Sequence, residues 1–481
     1  MYIINIILLT FVLLLSGIVP AGAYPLKAPE RHDRSWEPPE WVGEKSSGIP
    51  AFGGDDHALP AFEKRLSLPR LMDIALSNNP DTRRAWRDAK AAYAGEKQAE
   101  SEWYPEITLT GRSSHQRTYT NDSFSAVNRR TDSFEAQWKV LLLDLGGRAA
   151  SVKQARQILL ARNFAFNRAF QDVALEVKRS YYGLYAAEAR VSAALANQED
   201  RAKALEIAEQ KYRAGLVTKL DVLQARSELA RSRYETEQAR QDEKAAQADM
   251  SSVAGVPAYA DIRIEQPPSE RPEYVVPGDV QEIIDEAMAC RPDIASARAE
   301  VKAREAALRE ANSDLWPTLN AGGKVIADRY YHYGSEKGDL FNTDSDYGYT
   351  AYISVEWDIF DGFFLYSARN RAREELKAEE QKLRKAELQA GAEVWTRYYA
   401  YRTALKQYDY SVDLLKSSEA AYELALASYE KGLKDILDLL RSASDLSEGR
   451  STMISARRKL YVAYAELVHA AGKLYGEYLE G

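Results

Sequence analysis

The strongest constraint on this chain's fold is that its sequence repeats. Ala75-Leu76-Ser77-Asn78-Asn79-Pro80-Asp81 returns as Ala287-Met288-Ala289-Cys290-Arg291-Pro292-Asp293, and Tyr104-Pro105 returns as Trp316-Pro317, both 212 positions later. From Leu143-Asp144 against Phe360-Asp361 the offset is 217. It holds through Tyr181-Tyr182 and Tyr398-Tyr399, Tyr212-x-x-Gly215 and Tyr429-x-x-Gly432, Asp221 and Asp438, and Gly255 and Gly472. One five-residue insertion accounts for the change. Two half-chains, 66–257 and 278–474, therefore share one architecture. They are joined by a connector, 258–277, whose stretch from Gln266 to Pro277 is rich in Pro, and a short tail, 475–481, follows.

Each half reads as helix, hairpin, helix. A first helix of about 36 residues, 68–103 and again 280–315, is expected to stop at its Tyr-Pro or Trp-Pro, because Pro cannot continue a helix. In the hairpins, Phe134, Ala136, Trp138 and Val140 alternate with Glu135, Gln137 and Lys139. Tyr347, Tyr349, Ala351, Ile353, Val355 and Trp357 alternate in the same way with Gly348, Thr350, Ser354, Glu356 and Asp358. A period of two with one apolar face is the mark of a half-buried strand. Their partners, 107–115 and 319–331, keep that period less regularly, which puts the strands within about 106–143 and 318–359. From Gly147 to Tyr212 and from Gly362 to Tyr429 there is no Pro and little Gly, so a helix of about 100 Å is expected in each half at ~1.5 Å per residue. Tip turns at 212–221 and 429–438 reverse the chain into a returning helix of about 32 residues that ends near Gly255 or Gly472.

The N-terminus points to export. Ile4 to Val19 is apolar, Pro20 breaks it, and Ala21-Gly22-Ala23 is a small-x-small pattern, so residues 1–23 are expected to be a cleaved signal peptide, with an uncleaved anchor as the alternative. No cysteine follows that site, which excludes a lipid on a mature N-terminal Cys. Residues 24–65, with Pro38-Pro39 and Gly53-Gly54, lack either periodicity and read as an extended arm. No later apolar run reaches the ~18 residues of a spanning helix, so any later membrane crossing must use strands.

Charge and composition narrow the function classes. With 64 Lys and Arg against 72 Asp and Glu, the net charge of −8 argues against nucleic acid as a partner. One cysteine, Cys290, expected as a small buried side chain, and five scattered histidines leave no metal-ligating set. No P-loop, nucleophile elbow or paired carboxylates appear in a recognisable context, so no catalytic residue, no cofactor and no enzyme activity are expected.

Amphipathic strands in an exported chain imply a membrane barrel, and four strands cannot close one. Two copies make a narrow plugged barrel, and three give twelve strands with room for a pore. Aromatic residues fall where interfacial girdles would lie: Trp103, Tyr104, Trp316 and Trp357 toward the helices, and Tyr330, Tyr331, Tyr333, Tyr347 and Tyr349 toward the loops. The rival reading is an exported coiled-coil structural or adhesion protein without a pore.

Over 66–474 the duplication, helix lengths and matched motifs make the sequence resemble the TolC family of outer-membrane efflux proteins. The resemblance implies a mainly α fold with a β-barrel part, in which three copies form a 12-stranded barrel among outer-membrane lipids. That barrel continues into a 12-helix periplasmic α-barrel with constricting tips. It further implies a periplasmic adaptor docked at the tips and an inner-membrane transporter of RND or ABC type, with the channel as passive exit duct for efflux or type I secretion. The tip turns carry Gly215-Leu216 and Gly432-Leu433 as the expected docking spots. The family's closed-state links fall on Tyr429, Lys434 and Asp221, with Lys in place of an Arg that would bind bidentately. Asp438 and, one turn on, Arg441 would set opposing charges around a three-fold axis, which argues against cation selectivity at the entrance.

Overall fold

The computed structural model describes residues 27–37, 39, 65–119, 126–260, 262–266, 279–333 and 340–473, so the expected signal peptide, much of the arm and the tail lie outside the described residues. Among these are eight helices and four strands, in an order that repeats once. The first repeat holds α1 (Leu68–Asn78), α2 (Pro80–Ser101), β1 (Glu106–Tyr119), β2 (Ala126–Leu143), α3 (Gly147–Arg213) and α4 (Lys219–Val253). The second holds α5 (Val280–Cys290), α6 (Pro292–Ser313), β3 (Thr318–Tyr333), β4 (Leu340–Glu356), α7 (Phe364–Glu430) and α8 (Ile436–Ala470).

The first helix of each repeat is broken, where an unbroken one is expected from the sequence. Asn79 and Arg291 take extended backbone, with φ −62°, ψ 130° and φ −71°, ψ 123°. The cause is the following Pro80 or Pro292, whose ring excludes the helical region for the residue before it. The break has a use. Asn79 Nδ2 donates to the carbonyl of Val253 at 3.0 Å, and Arg291 Nη1 donates to that of Ala470 at 3.0 Å. These are the last residues of α4 and α8, whose terminal carbonyls have no partner inside the helix. Glycine makes this approach possible: a Cβ on Gly255 (φ +68°) would lie 2.8 Å from the Asn78 carbonyl carbon, and one on Gly472 (φ +73°) 2.9 Å from Arg291 Cα. Cys290, at the end of α5, is half-buried rather than buried.

The long helices α3 and α7 each run 67 residues, and the returning helices α4 and α8 each run 35. The Leu-Asp and Phe-Asp repeats mark the starts of α3 and α7. Asp144 accepts hydrogen bonds from the backbone of Gly146 (3.3 Å) and Arg148, and Asp361 accepts from Phe364 (3.0 Å) and Leu365 (2.7 Å). A carboxylate there satisfies otherwise unpaired N–H groups and the positive end of the helix dipole.

The chain divides into two compact units. One holds Ala91–Leu160 and Arg298–Lys382, and with them the whole sheet. The sheet runs β1-β2-β3-β4, every pair antiparallel, and the two repeats join where β2 pairs with β3. Its register carries the two-residue alternation straight across. Ile107 pairs with Trp138, which pairs with Gly323 and then Ala351; Leu109 with Ala136, Val325 and Tyr349; Gly111 with Phe134, Ala327 and Tyr347. The opposite face carries rows such as Thr108, Gln137, Lys324 and Thr350. Tyr330 lies on that polar face, with its hydroxyl 3.1 Å from Asp328, whereas Tyr347 and Tyr349 lie on the apolar one. Parity decides this: Tyr330 is one residue out of step with Val325 and Ala327.

The other unit holds Ala28–Lys90, Ala161–Ala297 and Leu383–Gly481. Here α8 packs on α7 through an apolar cluster that includes Val394, Tyr398, Tyr401, Leu460, Tyr464 and Leu467. Against α3 the packing is apolar near the tip, where Ala204 and Ala208 share a cluster with Leu439 and Leu440, and polar groups add to it. Arg201 reaches the Leu440 carbonyl (2.9 Å) and Ser444 (2.8 Å), Arg450 reaches Asn197 (2.6 Å) and Asp200 (2.8 Å), and Tyr182 stacks on Tyr461 at 4.5 Å. Leu66 forms a parallel bridge with Ile264, and the Tyr181 hydroxyl donates to the Glu265 carbonyl at 2.5 Å, tying the connector to α3.

Candidate functional site: the helical tip and the apolar sheet face

Both tip turns are built on one glycine each. Gly215 (φ +76°) and Gly432 (φ +77°) end α3 and α7, and a Cβ on either would meet nothing within 4 Å, so backbone conformation alone demands glycine. The bonds from Leu216 N to Lys211 O and from Leu433 N to Ser428 O, each 2.9 Å, close the left-handed C-cap. This geometry turns Leu216 (73% exposed) and Leu433 (76%) outward. Leu220 and Leu437, one helical turn later and related by the same 217-residue offset, are exposed as well, which doubles the apolar spot on each turn. The offset itself was the signal for that second pair.

The expected link residues occupy distinct positions in the tip. Asp221, in the first turn of α4, accepts from the backbone N and the Oγ1 of Thr218, at 2.7 and 3.0 Å. In the second turn Asp435 stands at the position of Thr218 and, as the helix N-cap, accepts from Asp438 N at 2.8 Å, the reverse of the bond in the first turn. Lys434 Nζ pairs with Asp438 Oδ2 at 3.2 Å, and Arg441 is exposed on α8. Tyr429 is 1% exposed, inside a cluster with Ala204, Ala208, Val222, Ala225, Leu439 and Leu440. Among the described residues its hydroxyl has no hydrogen-bond partner, and burial together with the nearby Asp221 charge pushes its pKa upward. Sequence reasoning assigned no role to Lys211. Its ammonium stands 4.3 Å from the centre of the Tyr429 ring and donates to the Tyr429 carbonyl, joining the end of α3 to the end of α7.

The sheet presents the second feature. Ile107, Leu109, Phe134, Val325, Tyr349 and Ile353 all lie on one face and are all exposed. A row of exposed apolar side chains on one sheet face marks an interaction surface, with another protein or with a membrane. Among the described residues each outer strand, β1 and β4, pairs with one neighbour. No helix of the described residues is long and apolar enough to cross a membrane, and among them no group of three His, Cys, Asp or Glu residues could hold a metal ion.

Comparison with known proteins adds a family to this geometry. The family model described as outer membrane efflux protein matches residues 71–256 and 283–473, so its two matched segments follow the two repeats. Protein CyaE of Bordetella pertussis is 28% identical over 416 residues, 86% of each chain. Outer membrane protein OprJ of Pseudomonas aeruginosa is 26% identical over 419 residues, 84% of each. The CmeC outer membrane channel of Campylobacter jejuni, at 17% identity, superposes with a TM-score of 0.73 over 94% of each chain, which is a likeness of fold.

Proposed function

From the premise that this chain belongs to the outer membrane efflux protein family, we propose that three copies close one channel across the outer membrane. The channel is a transport duct of the outer membrane with a helical periplasmic extension, in a family of channels rather than enzymes. The observation that carries the trimer is the sheet. Its apolar face suits lipid, its opposite face is polar, and its outer strands β1 and β4 each lack a second neighbour among the described residues. Three such sheets joined edge to edge give twelve strands, enough to enclose a pore and to satisfy every edge hydrogen bond in lipid.

Transport through such a duct needs no chemistry, and the energy comes from an inner-membrane transporter of RND or ABC type joined through a periplasmic adaptor. The tips hold the entrance shut. Tyr429 and Asp221 are close enough for the carboxylate to raise the phenol pKa, and Lys211 clamps the same ring. Opening is a population shift away from this arrangement. Lys434, paired with Asp438, and Arg441 balance the acidic charge at the entrance and leave it without strong cation selectivity. Leu216 and Leu433, turned outward by Gly215 and Gly432, offer the apolar docking spots for the adaptor.

The test is to purify the protein from membranes in detergent and measure its mass and single-channel conductance. About three chain masses with pore activity is the expected result. A soluble monomer without conductance would overturn the channel and leave a coiled-coil scaffold. Tyr429→Phe with Asp221→Ala is expected to raise closed-state conductance, and an unchanged value would remove the links. Leu216→Asp with Leu433→Asp is expected to abolish adaptor crosslinking and leave conductance intact.

A further inference from the structure

The extended arm is seated rather than loose over residues 28–37, and its seat is built for it. Asn167 on α3 is 0% exposed and bonds the backbone of Trp36 in both directions: Trp36 N donates to Oδ1 at 2.8 Å, and Nδ2 donates to Trp36 O at 2.7 Å. This is how a side-chain amide imitates a neighbouring strand, and it recognises any extended backbone. Side chains supply the selectivity. The buried Trp36 indole meets Phe164 edge to face at 5.5 Å, and on α2 the Trp86 indole donates to the Pro29 carbonyl at 2.9 Å and packs on His32 at 5.5 Å. Arg31 grips Asp33 with two bonds of 2.9 and 2.7 Å, and Ala28 and Asp33 are buried.

The duplication shows that the helix pair does not require this seat. At the positions of Trp86, Asn163, Phe164 and Asn167, the second repeat carries Arg298, Glu380, Gln381 and Arg384. Of these, Glu380, Gln381 and Arg384 are exposed. Two buried amides and two aromatic rings in the first repeat thus replace charged or polar residues in the second, at matching places in the same architecture.

We propose that Trp86, Phe164 and Asn167 form a peptide-binding site for an extended, Trp-bearing segment. Its occupant is this chain's own residues 28–37, and the seated segment is a latch that braces α2 against α3. The site is independent of the trimer and of the tip. To test it, the full-length Trp36→Ala chain is titrated with a fluorescein-labelled peptide of residues 27–39. The peptide binds this variant at least tenfold more tightly than the wild type, whose site is filled, and the same peptide with Ala for Trp36 does not bind. Trypsin cuts after Arg34 at least tenfold faster in the variant. Asn167→Leu, which keeps the volume, gives the same rise in cleavage and binds no peptide, and it decides the matter if Trp36→Ala fails to fold. Equal peptide binding by wild type and Trp36→Ala, or unchanged cleavage in both variants, overturns the proposal.

Discussion

Replacing Arg291 tests whether the helix break is a structural joint or only a proline artefact. The guanidinium is 4% exposed and makes four hydrogen bonds: two to Asp293 (3.0 and 2.7 Å), one to Glu393 (2.8 Å) and one to the Ala470 carbonyl (3.0 Å). Removing one member of a buried pair costs ~3–5 kcal/mol. Asp293 and Glu393 keep 35% and 31% of their side chains in water, so hydration recovers part of that. The expected loss for Arg291→Ala is therefore about 2–3 kcal/mol. Arg291→Asn copies the first repeat, where Asn79 holds the carbonyl of Val253. It restores the carbonyl bond, worth ~1 kcal/mol, and is expected to lose only about 1–2. Urea unfolding in detergent, followed by circular dichroism at pH 7, separates the two variants. The pH dependence gives a second check. Burial raises the Asp293 pKa, but the Arg291 hydrogen bonds and the charges of Arg168 and Arg291 outweigh it and leave the carboxyl below its ordinary value. A depressed acid contributes stability that is complete above the unfolded pKa, ~4, and is lost as pH falls through the folded one. The gap between wild type and Arg291→Ala therefore narrows below about pH 4. Equal stabilities for the Ala and Asn variants, or a gap unchanged down to pH 3, would refute the reasoning.

Three other outcomes follow from the same structure. Phe134→Arg places a charge on the apolar sheet face, at a cost of ~2–4 kcal/mol if it sits near the bilayer midplane, and is expected to abolish a heat-modifiable oligomer on gels; Gln137→Arg, on the opposite face, is expected to preserve it. Gly432→Ala meets only the left-handed backbone penalty of ~1–2 kcal/mol, whereas Gly255→Ala also drives a Cβ to 2.8 Å from the Asn78 backbone and loses more, measurable by thermal unfolding. Burial, followed by the charges of Glu265 and Glu188, pushes the Tyr181 phenol up to about 12. A raised folded pKa means stability that is complete below the unfolded value, ~10, and lost as pH climbs toward 12. Tyr181→Phe is thus expected to cost ~1 kcal/mol at pH 8 through the lost bond to Glu265, and to reduce the decline in stability between pH 10 and 12.

How much was legible depended on how local the cause was. The tip glycines, the 67-residue helices and the strand alternation follow from backbone preference and period, which neighbouring residues decide, and the structure places α3, α7 and the strands where the pattern does. Pro80 and Pro292 act on the preceding residue just as locally, so the breaks at Asn79 and Arg291 are legible in the sequence as well. Other features were not readable. Tyr330 falls on the polar face through register, which depends on which residues of β2 and β3 meet across the sheet. Lys211 gains its place over Tyr429 only because the ends of α3 and α7 lie together, although they are 218 residues apart. The seat for Trp36 needed residues 131 positions distant.

By itself the sequence determined a duplicated chain of long helices and amphipathic strands, because repetition and periodicity are properties of neighbours along the chain. Only the tertiary structure decided which faces and side chains meet. It aligned the apolar rows of four strands into one surface, set Arg291 and Asn79 against the ends of the returning helices, and seated the arm in a slot that the second repeat lacks. The physical reason is that hydrogen bonds and close packing act over a few ångströms in space, and sequence distance does not reveal which groups will come that near.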